Sequence, residues 1–227
     1  MSRVVFDIET IGFNLDGELF DDKQKEYLLK YATNEDEITA IHEGMGFHPL
    51  TGKIVCIGMY NPDSGKGCAY FETGNENEID EEIDGIYYKS CTEQEILERF
   101  WEDICKYTSY ITFNGRGFDV PFIRIRSAIL GLKCSRELHT PRFDSKTHID
   151  LLEELTFQGA FFRKFNLDFY CKAFGIESPK EGMCGHEVPV YYKDGRGLEI
   201  AEYCVGDVIA TGKLFLKWVE SYNRHGY

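Results

Sequence analysis

Val4-Val5-Phe6-Asp7-Ile8-Glu9-Thr10 is the stretch on which the fold of this chain turns. Side chains alternate along a strand, so Asp7 and Glu9 share one face while Phe6 and Ile8 share the other. Two neighbouring carboxylates on one face repel each other and add nothing to stability. A divalent cation between them removes the conflict, and hard oxygen ligands suit Mg²⁺ or Mn²⁺. In isolation such a pair is more often the wet face of an edge strand. The remainder of the chain has to decide between the two.

The 227 residues allow one large domain or two small ones. A hydrophobic content of 43%, with 15% aromatic residues, suffices for a substantial core and excludes a disordered chain. The net charge of −14 argues against a general basic nucleic-acid binder. It leaves open an enzyme that meets a polyanion through metal ions and a local basic patch. Acid is concentrated between Glu72 and Asp84, where Glu76, Glu78, Asp80, Glu81 and Glu82 intervene without a Lys or Arg; this reads as a solvated loop or helix face. The cysteines show no C-x-x-C spacing, and most sit among apolar neighbours, as expected of buried thiols in a reducing cytoplasm. Asp7 comes too early for a signal-peptide core, and no apolar run is long enough to span a membrane.

Beyond the first strand, helices are expected near 20–32 and 35–43. Ile54–Tyr60 and Gly67–Glu72 read as a hairpin joined at Asn61-Pro62-Asp63. Thr92 with Glu95 forms a capping-box signature ahead of Ile96, Leu97, Phe100, Trp101 and Ile104 at helical spacing. Tyr110–Phe113 reads as a short strand, and a helix follows Pro121 and closes at Gly131. His148–Leu152 reads as a strand passing into a helix, Leu167–Phe174 as a helix closed by Gly175, and Leu198–Tyr222 as a long helix. This order implies an α/β chain, a mixed β-sheet flanked by α-helices. The informative elements lie at both ends, so a single domain over 1–227 is expected.

Two further acidic clusters fall in telling places. Asn114-Gly115-Arg116-Gly117-Phe118-Asp119 sets Asp119 after a Gly-rich turn, where an acid in the first helical turn complements the helix dipole. Tyr203 and Asp207 stand four apart, on one face of the long helix. An acid on an otherwise apolar helix stripe is costly to bury alone and so requires a partner.

Together these three segments resemble the Exo I, Exo II and Exo III motifs of the DEDD superfamily of 3′–5′ exonucleases, which has a ribonuclease-H-like fold. Asn114 through Pro121 is similar to the N-x-x-x-F-D-x-P pattern of family B DNA polymerase proofreading domains. Tyr203-x-x-x-Asp207 is similar to the tyrosine branch, DEDDy; the histidine branch would need His at position 202, which is Glu202. The stand-alone family of predicted exonucleases related to the polymerase B domain is the most similar, through His48–Gly58, Asn166–Gly175 and Glu199–Val208 as well. No thumb, finger or palm segment follows, so a polymerase is not expected. One departure is Lys180-Glu181-Gly182-Met183-Cys184-Gly185, where relatives tend to carry an acid in K-x-D-M-x-G. It touches substrate contacts and leaves the metal ligands as they are.

The resemblance implies that Asp7, Glu9, Asp119 and Asp207 hold two divalent ions, Mg²⁺ or Mn²⁺, roughly 4 Å apart. One would activate the attacking water and the other stabilise the departing 3′ oxygen. Tyr203 would orient that water, since a phenol with a pKa of ~10 is a poor base at neutral pH. Thr10, Phe13, Asn114 and Phe118 match substrate-binding positions, Phe13 as an apolar wedge between terminal bases and Thr10 through its backbone at the 3′-OH. The implied activity is release of 5′-mononucleotides from the free 3′ end of DNA, single-stranded by preference. The alternatives are an exoribonuclease, a catalytically silent nucleic-acid-binding module, or an endonuclease of the same fold class. Arg116, Arg124, Arg126, Lys133, Arg136, Arg142 and Lys146 form the expected basic strip for the incoming strand, with a solvated helix face as the simpler account. Asp150 is a supporting acid outside the catalytic set. No membrane contact and no obligate protein partner are expected.

Overall fold

Apolar, β-branched and aromatic residues buried on both faces produce β1 (Arg3–Gly12), and every later element is placed relative to it. The computed structural model describes residues 2–75, 78–141, 143–144, 146–177 and 183–221. Its other strands are β2 (Gly52–Asn61), β3 (Lys66–Phe71), β4 (Asp80–Ile83), β5 (Ile86–Ser90), β6 (Ser109–Thr112) and β7 (His148–Asp150). They form a seven-stranded mixed sheet in the order β4-β5-β3-β2-β1-β6-β7. β1 runs antiparallel to β2 and parallel to β6, so it joins the hairpin half of the sheet to the parallel half.

The two faces of β1 do different work. Val4, Phe6 and Ile8 face α3 (Glu93–Ile104) and α4 (Asp119–Ile129) in one core cluster with Ile96, Phe100, Trp101, Phe122 and Ile123. Val5 and Ile11 face the other way, onto α8 (Gly197–Ser221), in clusters with Val208 and Leu214 on one side and Ile200 and Cys204 on the other. Asp7 and Glu9 lie on this second face, between the two clusters. α1 (Asp22–Leu29), α2 (Glu35–Gly44), α5 (Leu151–Leu155), α6 (Leu167–Ala173) and α7 (Val188–Lys193) complete the helices.

The expected elements form, with adjustments. Thr92 and Glu95 make the reciprocal capping box of α3. α4 begins at Asp119 rather than after Pro121, because proline is tolerated in a first helical turn, where the missing N–H has no partner to lose. The acidic stretch before Asp84 is corrected: Asp80–Ile83 is an edge strand, turning through Asp84 and Gly85 (φ 51° and 81°) into β5. Two consecutive positive-φ residues are what a tight hairpin of type I′ needs, and Asp-Gly supplies them. Lys89 answers the acid by pairing with Glu78 and Asp80. α7 appears where no element was expected. Glu76, Arg142, Lys180, Glu181, Gly182 and Tyr222 lie outside the described residues.

Candidate active site

β1 outruns its parallel neighbour, because the register with β6 ends at Val5↔Ile111 and β6 stops at Thr112. Beyond that point the Ile8 N–H donates to Asp119 Oδ1 at 3.1 Å, so the first residue of α4 caps the exposed side of β1. This bond carries Asp119 to Asp7. The loop that delivers it is anchored from β7. Asp150 accepts from the backbone N–H groups of Asn114 (3.0 Å), Arg116 (2.9 Å) and Leu152 (3.0 Å), binding the loop and the start of α5 to one carboxylate. Asn114 takes a positive φ of 66°, which Asn tolerates better than most residues.

On the other side α8 has to come close to β1, and the sheet is thin where it does. Gly58 on β2 lies opposite Asp7, and a Cβ there would stand 2.9 Å from Cys204 Sγ. Only glycine leaves room for α8 at this depth. Cys204 Sγ lies 3.6 Å from the Asp7 carbonyl oxygen, to which it donates, and its neighbours on the helix, Tyr203 and Asp207, are thereby held at the carboxylates. The β1–β2 register shifts between Glu9 and Thr10, with Val55 as the extra residue, a bulge of β2 just past Glu9.

The electrostatics report the convergence. Burial, then the charges of Asp119, Glu9 and Asp207, push the Asp7 carboxyl far above the usual carboxylate range, and Asp7 and Asp119 hydrogen-bond to each other. Burial is also the first cause that raises Asp119, which is 2% exposed. Like charges this close cannot all ionise in a dry site. The Tyr203 phenol is raised by burial and then by Asp207, Glu9 and Asp7, and it is hydrogen-bonded to Asp207. The tyrosine therefore stays protonated and acts as a donor. Cys204 is raised as well, by its hydrogen bond with Cys56 and by burial, so it lies among the acids as a neutral thiol. Side-chain ligand atoms of Asp7, Glu9 and Cys204 lie within 4.8 Å of one another. Buried carboxyls such as Asp7 and Asp119, which hold their protons first through burial and then through the charge of neighbouring acids, are a hard-oxygen donor set fitted to a hard divalent cation.

Asp7, Glu9, Asp119, Tyr203 and Asp207 are thus brought together from three segments of the chain. The four substrate positions are placed differently. Thr10 donates its hydroxyl to the Gly46 carbonyl (2.7 Å), within the 3₁₀ turn Met45–Phe47. Phe13 is half-buried on Leu15, Phe20 and Met45, with the Arg126 guanidinium 5.3 Å from its ring centre. Asn114 and Phe118 lie in the loop before Asp119, and Phe118 packs against Phe122 at 5.5 Å. Gly185 comes within 3.8 Å of the Tyr203 hydroxyl, measured to the position of a Cβ, so the Met183–Gly185 end of the departing stretch borders the site.

The basic strip is corrected at three positions. Arg116 donates to Thr140, to the Asp144 and His148 carbonyls, and pairs with Glu153. Arg126 makes a bidentate pair with Glu93 (2.8 and 2.7 Å), which also accepts from Ile54 N–H. Arg136 donates to the carbonyls of Ile104, Tyr107 and Thr108. These donors are spent inside the fold. A cavity of 720 Å³ on the outer face of α4, lined by Pro121, Arg124, Leu138, His139 and His148 among others, has none of the five clustered residues in its wall.

The sheet order and the acid-bearing first strand crossed by a C-terminal helix define the ribonuclease-H-like α/β class. A family B DNA polymerase structure from the archaeon Pyrobaculum calidifontis superposes with a TM-score of 0.59 at 17% identity, covering 97% of this chain and 24% of that one. The chain belongs to the family described as predicted 3′–5′ exonuclease related to the exonuclease domain of PolB, which matches residues 67–224. Asp119, Tyr203 and Asp207 fall inside that span; Asp7 and Glu9 precede it. Among curated relatives, the catalytic subunit of DNA polymerase epsilon from Aspergillus fumigatus is 28% identical over 155 residues, 60% of this chain and 6% of that protein. A DNA polymerase of Pyrococcus glycovorans is 26% identical over 191 residues, 78% of this chain and 23% of that protein. The chain therefore spans less than a quarter of either relative. No helix among the described residues is long and apolar enough to cross a membrane.

Proposed function

We propose that this chain is a single-domain, divalent-metal-dependent 3′–5′ exonuclease that releases 5′-mononucleotides from single-stranded DNA. The convergence of Asp7, Glu9, Asp119 and Asp207 under Tyr203 carries this reading. Bound to those four carboxylates, two Mg²⁺ or Mn²⁺ ions would neutralise the scissile phosphate and acidify water at it. The chain's own groups do the rest. Asp119 is fixed by Ile8 N–H and Asp7 by its strand, so the acids are positioned before any ligand arrives. Tyr203, kept protonated with its O–H donated to Asp207, presents its phenol oxygen as the acceptor that orients the attacking water. Thr10, Phe13, Asn114 and Phe118 are assigned to the terminal nucleotides, Phe13 by stacking against a base. The free state of all the cysteines suits a reducing cytoplasm.

The test is to incubate 5′-labelled single-stranded DNA, duplex DNA and RNA with Mg²⁺ or Mn²⁺, for wild type and Asp7→Ala. A one-nucleotide ladder on DNA that needs both metal and Asp7 is expected. Preference for RNA would reassign the substrate, internal cuts would indicate an endonuclease, and an intact polymer in every lane would indicate a binding module.

A further inference from the structure

Between Glu154 and Asp168 the chain carries Phe157, Phe161, Phe162, Arg163, Lys164 and Phe165 and no acid, in a protein whose net charge is −14. The apolar rings are not buried: Phe157 is 56% exposed, Phe161 60%, Phe162 98%, and Phe169 on α6 57%. Three successive residues, Phe157, Gln158 and Gly159, take positive φ (51°, 57° and 93°). Two of these are not glycine, so the outward turn is held at a conformational cost. Phe165 and Phe169 already stack face to face at 4.4 Å, and the Arg163 guanidinium lies 4.7 Å from the Phe165 ring centre.

The segment also adjoins the acid cluster. It enters α6, whose Cys171 packs in one cluster with Val208 and Ala210, one and three residues past Asp207 on α8. Tyr170 of the same helix meets Phe113 at 5.8 Å, one residue before Asn114. Exposed flat rings interleaved with cations, leading up to a cluster suited to phosphodiester hydrolysis, match the chemistry of an unpaired nucleic-acid strand. Every base has a face to stack, and every linkage has a phosphate to neutralise.

We propose that Phe161, Phe162, Phe165 and Phe169, with Arg163 and Lys164, form a platform on which the bases upstream of the scissile bond stack. The direction of the strand rests on the exonuclease reading; binding itself does not. The experiment therefore measures binding without hydrolysis. Fluorescein-labelled oligothymidylate and oligouridylate of about 12 nucleotides, a length suited to a site of this kind, are titrated in EDTA, with anisotropy as the readout.

The Phe161→Ala/Phe162→Ala variant is expected to bind about tenfold more weakly per stacked base lost, and Arg163→Ala/Lys164→Ala to flatten the salt dependence. Ile83→Ala, on edge strand β4 at the opposite edge of the sheet, is the control for exposed apolar surface. Equal affinity of the double-Phe variant and wild type, or an equal loss in Ile83→Ala, overturns the proposal. So does a wild-type dimer in size-exclusion chromatography that the Phe variant converts to monomer, because the patch would then bind a second copy. Platform-dependent binding by a protein that hydrolyses nothing with either metal would sink the exonuclease reading alone. Preference for one oligomer names the polymer.

Discussion

Replacing Asp207 by Asn removes one of the charges that raise the Asp7 carboxyl while leaving the shape of the site intact. In EDTA the variant is expected to melt about 2–4 °C higher than wild type, the shift that ~1 kcal/mol produces in a chain of this size. Its hydrolysis is expected to fall further than the roughly 10–100-fold that outer partners of a metal site cost. A lower melting point in EDTA would mean that the acids do not repel one another as described. Gly58→Ala tests the approach of α8 from the opposite side. The new methyl meets Cys204 Sγ, so hydrolysis should drop sharply while the circular dichroism spectrum is unchanged. Asp7, Glu9 and Asp207 stand out in the sequence because an acid on an apolar strand or helix face breaks its pattern, whereas Asp119 and Tyr203 are legible only through the motifs they complete. Gly58 is not legible, since its role depends on a helix that lies far along the chain. The missed signal was a glycine inside a run that otherwise reads as a buried strand.

Among the elements, the loop after β6 and the helix α4 owe their positions to groups outside the cluster. Asp150 holds Asn114, Arg116 and Leu152 N–H groups together, and bonds to a charged acceptor are worth about 1.5–3 kcal/mol each. Asp150→Ala is therefore expected to lower thermal stability and to weaken metal-dependent hydrolysis together. Hydrolysis unchanged at a temperature where the variant is fully folded would show that the loop needs no such anchor. Arg126→Ala leaves Glu93 buried without its cation, and breaking such a pair costs about 3–5 kcal/mol. Chemical denaturation reads that loss directly. Neither arrangement could be read from residue order, because the partners of Asp150 are main-chain N–H groups that carry no sequence mark, and Glu93 lies 33 residues from Arg126. β4 was obscured for a related reason. All of its residues are exposed, so no alternation of apolar and polar residues betrays it, and only Asp84-Gly85 marks the turn. The two-sided pattern of β1 and the apolar stripes of α3 and α8 are the opposite case. Burial on a defined face imposes a period, and the period is what sequence displays.

At the scale of the whole molecule, two buried sets of titrating groups bound the pH range of the metal-free protein. Asp119 is raised from 3.8 to about 7 and Asp7 is raised too, both first by burial. Their folded values lie above the unfolded ones, so their contribution is complete below about pH 4 and is lost as pH rises through 7. His148 runs the other way. Burial, with Arg116 beside it, lowers the imidazole from 6.5 to about 3, so its contribution is complete above 6.5 and is lost as pH falls through 3. Stability in EDTA should therefore peak on the acid side of neutrality. A divalent ion binds the deprotonated acids and cancels only the alkaline loss, since at low pH it must displace protons. Melting curves with EDTA and with excess Mn²⁺, at pH 5 and pH 8 in fixed salt, test this. The ion is expected to raise the midpoint strongly at pH 8 and barely at pH 5, and Asp7→Asn should abolish most of the difference. An equal increment at both values would place the bound ion somewhere other than among these acids, because only a cation that competes with the protons of Asp7 and Asp119 links its affinity to their titration.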